Sequence, residues 1–157
     1  MQKNIPARAF DYGAATKVLL LLAASVASAT TWASAAEPET LVIHAVGFSH
    51  ERGQAIASLF YQSDDVFKTP RARATANIQH GQALLNFPNL APGDYAVVVF
   101  HDENGNADLD HNFMRFPVEP LGYSNHFELT LFSGLPSFAK LRFSFDAGAG
   151  PVEIQVK

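Results

Sequence analysis

The sequence predicts an all-β protein, an antiparallel β-sandwich of about seven strands with Greek-key connections. Three observations predict it. No segment sustains a helical period. Short apolar stretches recur, several alternating with polar residues, and Gly and Pro turns separate them. One stretch, 95–100, is apolar at every position, as in a central strand covered on both faces.

The elements follow in order. Residues 40–47 form a first strand with Leu41, Ile43 and Ala45 on one face and Val42, His44 and Val46 on the other. A polar stretch ending at Gly53 turns the chain. Residues 54–61 form a second strand, with Ile56 and Phe60 opposite Leu59 and Tyr61. Ser63 caps one helical turn, which Pro70 stops. Lys68, Arg71 and Arg73 read as a solvated basic loop. Ala83, Leu85 and Phe87 share a face of the next strand, which ends at Pro88. Pro92 and Gly93 supply the φ values of a tight turn into 95–100. After an acidic loop, 113–125 is an irregular crossing punctuated by Pro117, Pro120 and Gly122. Three strands close the chain, on the faces Phe127/Leu129/Leu131, Leu141/Phe143/Phe145 and Val152/Ile154/Val156.

Residues 1–35 read as a signal peptide and 36–157 as a single β-sandwich domain. Lys3, Arg8 and Lys17 precede an apolar run over 18–24, and small residues lead to Ala33-Ser34-Ala35. Cleavage is expected after Ala35, or after Ala29 as second choice. The run is too short to span a bilayer, so no membrane span follows cleavage. The expected location is periplasmic or secreted. With no cysteine, neither disulfides nor thiolate chemistry is available. The chain has eleven basic and fifteen acidic residues, and the leader removes three and one. That leaves eight against fourteen, an acidic domain unsuited to nucleic acid and better matched to cations, carbohydrate or protein surfaces.

The loop His101-Asp102-Glu103-Asn104-Gly105-Asn106-Ala107-Asp108-Leu109-Asp110 is the candidate site. Asp102, Asn104, Asn106, Asp108 and Asp110 sit two apart, so a curl can turn their oxygens towards one hard cation, calcium. The spacing follows the first positions of an EF-hand loop. Ala107 replaces its glycine and Phe113 its bidentate glutamate, so another carboxylate, Glu119, is needed to complete the shell. The same residues also suit a metal-free loop, in which Asp and Asn side chains bond the backbone two residues on.

Other chemistry is less well supported. His101, His111 and His126 lie near the loop and could hold zinc or copper, but show no zinc-motif spacing. His44, His50 and His80 read as scattered surface positions. No catalytic residue is assigned. Ser124 lacks a Gly-x-Ser-x-Gly elbow, and a hydrolase built on Asp102, Glu119 and His126 needs a pocket joining all three. Tyr123, Phe116, Asn125 and His126 could form a sugar- or peptide-binding surface beside the loop, with Phe113 alongside. Packing of Phe113 and Phe116 onto the sandwich is the simpler expectation for those two.

Three runs in order resemble a known family. Asn89-Leu90-Ala91-Pro92-Gly93-Asp94-Tyr95-Ala96 is followed by His101-Asp102-Glu103-Asn104-Gly105-Asn106 with Leu109-Asp110. Then come Pro117-Val118-Glu119-Pro120-Leu121-Gly122-Tyr123-Ser124-Asn125 and Pro136-Ser137-Phe138. Together they resemble the exported bacterial domain-of-unknown-function family 2141, with Met114-Arg115-Phe116 where a smaller glycine-containing turn is expected. The Leu-x-Pro-Gly-x-Tyr run is similar to prealbumin-like and collagen-adhesin B-type sandwiches. The resemblance implies export and a sandwich, and it implies no activity. The resulting expectation is a non-enzymatic exported protein whose loop binds calcium and supports a binding surface.

Overall fold

Alternation in the first strand sets the smaller of two sheets. In the computed structural model, which describes residues 39–157 apart from 63, 67, 115, 131 and 147, β1 (Glu39–Val46) buries Leu41, Ile43 and Ala45 completely. The leader read over 1–35 and the Ser63 cap lie outside the described residues. The other strands are β2 (Gln54–Phe60), β3 (Ala72–Ala76), β4 (Gln82–Leu90), β5 (Gly93–Asp102), β6 (Leu121–Tyr123), β7 (Phe143–Phe145) and β8 (Val152–Gln155). One helical turn, α1 (Phe138–Leu141), precedes β7.

The smaller sheet runs β4-β1-β8, antiparallel and then parallel. The larger runs β3-β2-β5-β6, all antiparallel, with β7 paired to the start of β5. This is an all-β sandwich. Leu41, Ile43, Leu85, Phe87 and Ile154 from one sheet meet Ala57, Leu59, Tyr95, Val97 and Val99 from the other in the main core. The chain's end ties the sheets along one side. The Val156 N–H donates to the Val46 carbonyl at 2.8 Å, and Lys157 and Leu121 exchange two backbone hydrogen bonds.

Strand β5 is buried on both faces, as its unbroken apolar run requires. Its second face carries Ala96 and Val98, which pack with Phe60, Tyr123, Phe127, Phe138 and Leu141 in a smaller cluster. Ser124 fastens that cover. Its hydroxyl accepts the Val97 N–H at 2.9 Å and donates to the Leu141 carbonyl at 2.6 Å.

Several expectations are corrected. Strand β4 continues through Pro88 to Leu90, because it is an edge strand whose register with β1 shifts between Glu39 and Leu41. Residues 72–76, of which Arg73 is read from sequence as loop, form edge strand β3, and Leu121–Tyr123, read as irregular crossing, forms β6. Phe127 and Leu129 belong to no strand. Phe127 stacks edge-on against Tyr123 at 5.4 Å, and Leu131 lies outside the described residues. Leu141 ends a helical turn, so only Phe143–Phe145 of its group is extended.

Candidate functional site

Strand β5 delivers Asp102 to the mouth of the acidic loop, with the side chain wholly buried. Its carboxylate is saturated. Oδ1 accepts the N–H groups of Gly105 at 2.8 Å and Asn106 at 3.1 Å. Oδ2 accepts the Ala107 N–H at 3.0 Å and the Gln54 amide at 2.7 Å. Burial pushes this carboxyl up. The bonds from Gln54, Ala107, Gly105 and Asn106 outweigh burial and hold it below its ordinary value. The curl needs left-handed backbone at Gly105 (φ 76°) and at Ala107 (φ 63°).

Beyond Asp102 the loop is a run of side chains capping backbone. Asn104 Oδ1 accepts the Asn106 N–H at 2.8 Å, and Asn106 Oδ1 accepts the Asp108 N–H at 2.8 Å. Both amides donate to Asp110, Asn106 at 3.2 Å and Asn104 closer. Asp102, Asn104, Asn106 and Asp110 are thus gathered in one curl. Asp108 presents an exposed side chain. Glu119 reaches in from the crossing as a clip. Its two oxygens accept the N–H groups of Glu103 and Asp110, each at 3.1 Å. Arg73, read as a solvated loop residue, lies on β3 and donates to the Ala107 carbonyl at 3.1 Å.

The expected surface beside the loop is partly assembled. Phe113 is 93% exposed and Phe116 61%, so neither packs onto the sandwich as the simpler expectation held. Tyr123 is half-buried on β6, opposite Val98 of β5, and burial raises its phenol above the ordinary value. Val98, Leu121 and Tyr123 line a cavity of about 670 Å³ with Leu109 and His111 at the loop's exit, Phe116, Leu129 and Leu135. A second cavity of about 410 Å³ shares Phe116, Pro117, Leu121, Tyr123 and Leu129, and extends past His126 to Glu128 and Lys157. Asn125 lines neither. Its amide donates to the Lys140 carbonyl at 3.0 Å.

The three groups of the hydrolase reading are not brought together. Glu119 and His126 line the smaller cavity, whereas Asp102 is buried and fully bonded. His111 and His126 are exposed and do not join His101. The residue that does is His50, which sequence reasoning set aside. Among the described residues, His50, His101 and Glu103 are the one set of three His, Asp or Glu groups whose donor atoms lie within 4.8 Å of one another. The pairing of β2 with β5 places Gln54 opposite Asp102 and so folds the turn before β2 back onto the loop. An assumed β2–β5 register was the only signal that could have found it.

The family described as an uncharacterized protein conserved in bacteria, DUF2141, matches residues 43–153, most of the chain including both sheets and the loop. No match is found among the curated proteins or the solved structures. The chain belongs to the DUF2141 family.

Proposed function

We propose that this member of the family is an exported, non-enzymatic binding module that takes a short apolar peptide segment in the groove over β5 and β6. One observation carries the reading. Phe116 stands largely exposed over a cavity floored by Val98, Leu121 and Tyr123, a concave apolar surface rimmed by polar groups. Aliphatic walls at Val66, Leu129 and Leu135 suit hydrocarbon side chains better than a sugar's hydroxyls. Export is supported by the basic, apolar and small-residue order of 1–35. The test is amide chemical-shift mapping with short blocked peptides of graded apolar content, alongside oligosaccharides. Shifts centred on Leu121, Tyr123 and Leu129 that vanish in Tyr123→Ala support the reading. Shifts with oligosaccharides alone, or none with either, overturn it.

The loop touches this site through Leu109, and calcium is the cation proposed for the loop. What supports calcium is that four oxygen-bearing side chains, Asp102, Asn104, Asn106 and Asp110, are gathered in one curl, with the Asp110 carboxylate tied, among the described residues, only to the two asparagine amides. Binding exchanges the amide-to-Asp110 bonds for oxygen-to-cation bonds. The affinity belongs with weak extracellular modules, on the order of 0.1–1 mM.

A further inference from the structure

We propose that His50, His101 and Glu103 form a site for a divalent zinc-class metal ion, held by two imidazole nitrogens and one carboxylate oxygen. None of the three lines the groove, so this site goes beyond the binding reading and stands or falls apart from it.

The argument starts at His101. Its ring is fully buried, and Nε2 lies 2.7 Å from the Arg52 carbonyl. A carbonyl only accepts, so Nε2 carries a proton, and in the neutral ring Nδ1 holds a bare lone pair. That Nδ1 has no hydrogen-bond partner among the described residues. A buried acceptor without a donor is costly and rare. A metal-bound histidine has this arrangement, with one nitrogen on the ion and the other N–H fixed by a backbone carbonyl. Phe48, edge-on at 5.3 Å, holds the ring in place.

The other two donor atoms lie within 4.8 Å of that of His101 and of each other. Glu103 Oε1 lies 3.9 Å from His101 Nδ1, too far for a hydrogen bond, and 3.2 Å from His50 Nε2. Two ligands of one tetrahedral zinc stand about 3.3 Å apart, from bonds of about 2.0 Å. The His50 and His101 rings are 4.6 Å apart between centroids. His50 and Glu103 are about one-third exposed, which leaves an entry path and an open coordination position. Glu103 is held by its backbone, through the clip to Glu119, so its side chain is free to bind. Arg52 brings an opposing charge, with Nη2 3.4 Å from His50 Nε2. Its side chain is exposed and can turn to solvent.

With no thiolate in the set, the ligands suit zinc or copper(II). The test is calorimetric titration of the chelator-stripped full chain with zinc chloride, with cobalt(II) as a spectroscopic probe. One zinc per chain is expected, with a visible cobalt band displaced by zinc. His50→Ala and Glu103→Gln, at partly exposed positions where the fold should survive, each weaken binding at least about tenfold. His111→Ala and His126→Ala leave it unchanged. No binding by the wild type, or wild-type affinity in both His50→Ala and Glu103→Gln, overturns the proposal.

Discussion

Gln54 and Asp102 are register partners across the β2–β5 ladder, and their side chains are joined by a 2.7 Å hydrogen bond. That bond anchors the acidic loop to the sandwich, because the same carboxylate takes three backbone N–H groups of the loop. Asp102→Asn keeps the shape but puts an amide N–H where only acceptors fit. Two donors are then left facing a donor. The expected cost is about 3 kcal/mol, read as a lower urea midpoint at unchanged slope.

The same carboxylate sets an acid limit. Its folded pKa is depressed below the ordinary 3.8, so the native state binds its proton less readily than the unfolded chain. Its contribution is fully present above the unfolded value and is lost as pH falls through the folded one. Urea midpoints measured across that window should fall in the wild type, with a shallower slope in Asp102→Asn. Equal slopes would show that other carboxylates carry the acid loss.

Legibility followed side-chain size and range. The alternation of Leu41, Ile43 and Ala45 and the unbroken 95–100 run were readable, because burial of large apolar groups leaves a periodic trace. Strand β3 was not. Its inward residues are Ala72, Ala74 and Ala76, which carry little hydrophobic signal, and Arg73 between them read as loop. Pro117 and Pro120, just before β6, hid a three-residue strand that exists because β5 and the chain's last residues pair with it. Within the site, Asp102 to Asp110 declared themselves as one loop. His50 could not, since its nearness to His101 depends on a pairing between segments about 50 positions apart.

Glu119 spans the loop's two ends, with one oxygen on the Glu103 N–H and the other on that of Asp110. Glu119→Gln offers one acceptor where two are needed. Opening of the loop should become easier by about 1–2 kcal/mol. Hydrogen exchange would show this as faster exchange at residues 103 and 110, with the Val97 amide, bound to Ser124, unaffected.

Calcium should act on the loop alone. Millimolar calcium is expected to raise the melting temperature of the chelator-stripped chain and to shift the amides of 104–110. Asp110→Asn removes the carboxylate that both asparagine amides meet, and should abolish both effects. A melting shift that survives Asp110→Asn places calcium elsewhere.

Gly53 and Gly105 both have positive φ, 82° and 76°, yet they differ in what an added methyl group would meet. At Gly105 nothing lies within 4 Å. Gly105→Ala carries only left-handed strain, about 1 kcal/mol. At Gly53 a Cβ would stand 2.0 Å from the Asp102 carbonyl oxygen, a backbone atom that cannot swing aside. Gly53→Ala must push the 52–53 turn off the end of β5, at a cost of about 3 kcal/mol or more. That turn carries the Arg52 carbonyl that orients His101, so the displacement reaches the proposed zinc ligands as well. Chemical denaturation should therefore rank Gly53→Ala well below Gly105→Ala. Zinc affinity should fall in the former and hold in the latter.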